Sequence, residues 1–165
     1  MKKTGFSLVE LIVVMAIIAL MMAVAVPMFS RFGGTTNLRT SAREISAALN
    51  AARGYALTKR SSHKMRIDLD SAPIEINITD ALNNPLDKKI SLQPTITIDE
   101  IMVGGVSNTS INADIVDIVF KSTGSADASY NIYLRKRSLS SPVDSDYFTV
   151  NVEAITGRVS ITESK

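Results

Sequence analysis

Three patterns of apolar and polar positions follow one another along the chain. The first is a near-continuous apolar run. Between Phe6 and Val26 only Glu10 is charged, and Leu11 to Val26 is apolar throughout. Twenty-one residues at 1.5 Å rise span roughly 31 Å, about the thickness of a bilayer hydrocarbon core. Lys2 and Lys3 precede the run, so the positive-inside rule keeps Met1 cytoplasmic and sends the rest outward.

The second pattern has helical period. After Arg31-Phe32-Gly33-Gly34-Thr35-Thr36, a candidate flexible join because paired glycines weaken a helix, Leu38, Ala42, Ile45, Leu49, Ala52 and Ala56 fall four or three residues apart. They predict a helix to about Arg60 with one apolar stripe facing a sheet, and Arg39, Arg43, Arg53 and Arg60 lying off it.

The third pattern alternates. Met65 to Leu69 and Ile74 to Ile78 have strict period two. Ile90–Leu92, Thr95–Ile98, Ile115–Phe120, Tyr130–Leu134, Tyr147–Val152 and Arg158–Ile161 are further candidate strands, the last two reading as a terminal hairpin. The expected fold class is α+β: a long N-terminal helix, membrane-spanning in its first half, packed on a mostly antiparallel β-sheet domain. The boundaries are 6–30 for the apolar helix, 31–60 for the amphipathic helix and 61–165 for the β-rich part.

Charge and composition narrow the chemistry. From Arg31 to Arg66 eight basic residues face one acid, net +7; from Ile67 to Lys165 eight basic residues face fourteen acids, net −6. Such a dipolar chain suits pairing with copies or relatives of itself, or resting on anionic lipid. Cysteine is absent and His63 is the one histidine. That excludes thiolate catalysis and a Cys-based zinc site, and leaves a His-based acid/base pair without a partner. No phosphate loop, dinucleotide fingerprint or nucleophile elbow occurs, so no catalytic residue, cofactor or metal is expected. His63, beside Lys59, Arg60 and Lys64, is read as a surface turn residue. Asp114 with Asp117, and Asp144 with Asp146, lack the spacing of a calcium loop and are read as solvated carboxylates.

Glu10 decides how the N-terminal run is read. A cleaved secretory signal would use Ala23-Val24-Ala25 and leave a soluble periplasmic protein starting at Val26, but gains nothing from a carboxylate that is costly in lipid. The string Gly5-Phe6-Ser7-Leu8-Val9-Glu10 resembles the class III signal of type IV prepilins and pseudopilins. The resemblance implies that residues 1–5 form a leader, with cleavage between Gly5 and Phe6 by a prepilin peptidase, and N-methylation of Phe6 by the same enzyme. Glu10, then the fifth mature residue, would neutralise the N-terminus of a neighbouring subunit on assembly. Pro27 falls where many pilins carry a kinking proline.

Phe120-Lys121-Ser122-Thr123-Gly124 and Ile155-Thr156-Gly157-Arg158-Val159, with this layout, resemble the GspH/FimT-like minor pseudopilins and minor pilins. The resemblance implies a non-enzymatic structural subunit of a type II secretion pseudopilus or a type IV pilus. It would sit in the bacterial inner membrane as a single-pass protein, N-terminus cytoplasmic and C-terminal domain periplasmic, extractable into a filament. Its partners would be other pilin or pseudopilin subunits, the peptidase and inner-membrane lipid. An alternative is a FimT-like DNA-binding minor pilin using Arg158 with Arg135, Lys136 and Arg137. However, Gly157-Arg158-Val159-Ser160 lacks the second arginine of that element, and the negative second part opposes phosphate binding, so DNA is not expected as a partner.

Overall fold

The structure is a computed structural model and describes residues 7–86, 89–107, 114–137 and 147–164, without the side chains of 26–35 and 164. Among the described residues one helix, α1 (Leu8–Lys59), is followed by nine strands. These are β1 (His63–Asp68), β2 (Glu75–Asp80), β3 (Ile90–Ser91), β4 (Ile96–Val103), β5 (Val106–Ser107), β6 (Ile115–Phe120), β7 (Tyr130–Lys136), β8 (Tyr147–Val152) and β9 (Val159–Ser164). The backbone stays helical through Gly33 and Gly34, where the paired glycines suggested a join between two helices. By packing, the chain divides into Met1–Thr35 and Thr36–Lys165.

The first unit holds the apolar part of α1. Leu8–Ala25 has a mean hydropathy of 2.8, and none of it is buried. Its leucine, isoleucine, valine and methionine side chains are exposed, which in water would be strongly unfavourable.

The second unit folds around the stripe. Leu38, Ala42, Ile45, Leu49, Ala52 and Ala56 are all buried, with Ser41 and Ala48 beside them, in one core that draws on both sheets. A four-stranded sheet runs β3-β2-β1-β6 and a five-stranded sheet runs β5-β4-β7-β8-β9, with every pair antiparallel. In β1, His63, Met65 and Ile67 point into the core while Lys64, Arg66 and Asp68 face outward. β4 runs five residues beyond the expected Ile98, through a bulge between Ile98 and Glu100. It then turns through Gly104-Gly105 into β5, a strand the alternation did not predict. Both glycines have positive φ, as the two-residue turn between paired Val103 and Val106 requires.

Candidate functional site

Glu10 stands in the first turn of α1, where the helix dipole favours an anion, and is solvent-exposed at the head of the apolar segment. Gly5 and Phe6 lie outside the described residues. Pro27 has helical backbone within α1, and its side chain lies outside what is described.

The basic residues are not brought together. Register pairs Arg135 with Tyr147 at one end of the five-stranded sheet, whereas Arg158 precedes Val159, which pairs with Val152 at the other. Five residues of strand separate the two ends, roughly 17 Å. The Arg135 guanidinium also pairs with Asp99 at 2.7 Å. Lys136 closes β7, and the Arg137 amide donates to the Thr95 carbonyl. Arg158 is exposed and lines a surface cavity of about 510 Å³ with Asn131, Asn151 and Ser160.

Two readings of single residues are corrected. His63 is buried, at 3% exposure, because it shares the inward phase of Met65 and Ile67. Its ring stacks on Tyr55 with centroids 6.1 Å apart, and Nδ1 donates to the Ser61 carbonyl at 2.9 Å. Asp117 is not a solvated carboxylate. Arg66 grips it from the facing position of β1, Nε to Oδ1 at 2.7 Å and Nη2 to Oδ2 at 2.8 Å, and Lys64 Nζ reaches Oδ2 at 2.9 Å. The Arg66 hydrogen bonds, with help from Lys64, hold the Asp117 carboxyl below the usual aspartate range against the opposing effect of burial. Asp114 is exposed, and Asp144 and Asp146 lie outside the described residues. Among the described residues no three acidic, histidine or cysteine side chains gather as a metal site would need.

Arg53 is the residue whose role the helical stripe did not indicate. Its Nε donates to the Gly124 carbonyl at 3.0 Å and its Nη2 to the Thr156 carbonyl at 2.8 Å. The two short strings near Gly124 and Gly157 therefore meet on one guanidinium of α1. That clamp fixes the loop leading into Arg158 and β9.

A long helix with an apolar N-terminal part, followed by antiparallel sheet packed on its second part, defines a type IV pilin-like fold. Residues 1–26 match the prokaryotic N-terminal methylation motif. The type IV minor pilin FimU of Pseudomonas aeruginosa is similar in structure, with a TM-score of 0.56 at 16% identity over 78% of this chain and 90% of that one. The minor pseudopilin EpsH of the Vibrio cholerae type II secretion system is similar too, with a TM-score of 0.55 at 14% identity over 77% of this chain and 96% of that one. No curated sequence is detectably similar. The motif match is confined to residues 1–26, and the likeness to FimU and EpsH is one of fold.

Proposed function

We propose that the protein is a minor pilin or pseudopilin, a structural subunit of a filament anchored in the bacterial inner membrane. The observation that carries this reading is Glu10 in the first turn of a helix whose next fifteen residues are apolar, with none of them buried. A lipid bilayer or the packed helices of a filament would cover that surface, and only the filament also offers the carboxylate a positive partner. Prepilin peptidase cuts between Gly5 and Phe6, N-methylates Phe6, and leaves Glu10 to meet the N-terminal amine of a neighbouring subunit. The N-terminus starts cytoplasmic, and the β-rich part works in the periplasm. The likeness to both FimU and EpsH is compatible with a type IV pilus and with a secretion pseudopilus.

Mass spectrometry of the N-terminal peptide from the membrane fraction of the native host tests the reading. A peptide beginning at N-methyl-Phe6 is expected. A start at Val26 would mean ordinary secretion of a soluble protein and would end the proposal.

A further inference from the structure

Among the described residues the two sheets have four outer edges, and three are guarded. β3 and β5 are two residues long. β6 is covered at its end by the next turn, where Ala126 bridges to Phe120 and the Asp127 amide donates to the Val119 carbonyl. β9 differs. It is six residues long and pairs on one side with β8, and among the described residues no strand pairs with its other side. Such an edge is a row of backbone donors and acceptors ready to take another strand. Val159, Ile161 and Thr162 are β-branched, β9 contains no proline or lysine, and Ile161 is left 39% exposed on the core-side face.

The edge also carries charge at both ends. Val159, Ile161 and Glu163 share one face, opposite Val152, Val150 and Phe148 of β8. Arg158, Ser160 and Thr162 point to the other by alternation. Neither Arg158 nor Glu163 forms an ion pair among the described residues. A strand added here would meet, in order along its length, a carboxylate, an apolar pair and a cation.

We propose that the free edge of β9 is a docking site for an extended segment of another polypeptide, added antiparallel as every strand pair in this fold is. The occupant is a six-residue strand reading basic, any, apolar, any, apolar, acidic. Its basic side chain faces Glu163, its apolar side chains face Ile161 and Val159, and its acidic side chain faces Arg158. This surface is separate from Glu10 and stands or falls without the filament reading.

Because the chain has no cysteine, Ser160→Cys in the full-length protein in detergent micelles supplies a unique thiol in the middle of the edge. The probe is acetyl-Lys-Thr-Val-Cys-Val-Asp-amide, its cysteine activated as the thionitrobenzoate disulfide. Attack by the introduced thiolate forms the protein–peptide disulfide and releases thionitrobenzoate, which is read by its colour. The control exchanges the terminal Lys and Asp, leaving composition and net charge unchanged. Trapping of the first peptide is expected to be faster by up to about fivefold for each charge that the control sets against its like, roughly twenty-fold for the two together. In Ser160→Cys carrying Arg158→Glu and Glu163→Lys, the order should invert. Equal rates for both peptides, or the same order in both proteins, would overturn the proposal. So would a preference for the exchanged peptide on the unreversed edge, which means the opposite strand direction. Loss of the peptide preference in favour of protection by mixed-sequence duplex DNA would assign Arg158 to phosphate and also overturn it.

Discussion

The carbonyl oxygen of Gly124 occupies the space where a β-carbon on Gly157 would have to sit, so the two loops touch backbone to backbone. Gly157 also has φ +63°, a conformation that costs a side-chain-bearing residue strain. Gly157→Ala should therefore destabilise the fold by at least about 2–3 kcal/mol, seen as a lower Tm of the full chain in detergent. A Tm within a degree of the parent would show that the loops separate freely.

Gly54 supplies the contrast on the same helix. A β-carbon there meets nothing within 4 Å, and the residue lies well inside α1. Gly54→Ala should raise stability by up to about 1 kcal/mol, because alanine loses less backbone entropy on entering a helix. A fall in Tm would mean that this helix face is already in contact with something.

Arg53 makes the loop contact cooperative, because one planar fork serves the Gly124 and Thr156 carbonyls. Removing it in Arg53→Ala should cost roughly 2–3 kcal/mol and loosen both loops, measured as faster amide exchange at Gly124 and Gly157. Arg53→Lys should recover less than half, since an ammonium on a flexible stem cannot hold two carbonyls in one plane. Full rescue by lysine would show that charge alone suffices there.

These long-range contacts explain which parts of the fold were readable in the chain. The six-residue stripe from Leu38 to Ala56 obeyed helical period and is buried throughout. Ile115–Phe120 and Tyr147–Val152 are strands with those bounds; the first alternates in burial, whereas the second buries Phe148, Thr149 and Val150 in succession. β4 was cut short because the bulge at Ile98/Glu100 shifts the alternation by one residue, which reads locally as the end of a strand. β5 is too short for periodicity, although Gly104-Gly105 between two valines is a hairpin signal. His63 was masked by its charged neighbours. Its place two residues before Met65 gave the inward phase, and that phase prevailed over composition. Arg53 had no local signal at all, since its partners lie 71 and 103 residues away in sequence.

Asp117 should give the fold a distinct acid response. Its carboxyl is harder to protonate in the folded chain than in the unfolded one, because protonation breaks the hydrogen bonds from Arg66 and Lys64. Ionised Asp117 therefore stabilises the fold above the ordinary aspartate value of 3.8, and the contribution is lost as pH falls below it. Asp117→Asn should be less stable than the parent at pH 6, by roughly 1 kcal/mol for a pair this open to solvent. The two melting curves should converge as the pH is lowered from about 4 toward 2. A gap that stays constant over that range would place the effect of the substitution elsewhere.

Glu10 separates membrane residence from assembly. A carboxylate near the end of an apolar helix makes insertion slightly harder, so Glu10→Ala should leave the chain in the membrane fraction, at the parental level or above it. Cleavage between Gly5 and Phe6 should also be unchanged, because that bond lies four residues before Glu10 in the sequence. What the alanine removes is the negative partner for the new N-terminal amine, which would then enter an apolar filament core uncompensated. That penalty is several kcal/mol per subunit, enough to reduce incorporation at least tenfold. Fractionating the native host into membrane and sheared filament, with immunoblotting of each, reads both quantities in one experiment. Loss from the filament with retention in the membrane is the expected result. Parental amounts in the filament would remove the charge pairing from the mechanism, and loss from both fractions would reassign Glu10 to insertion or stability.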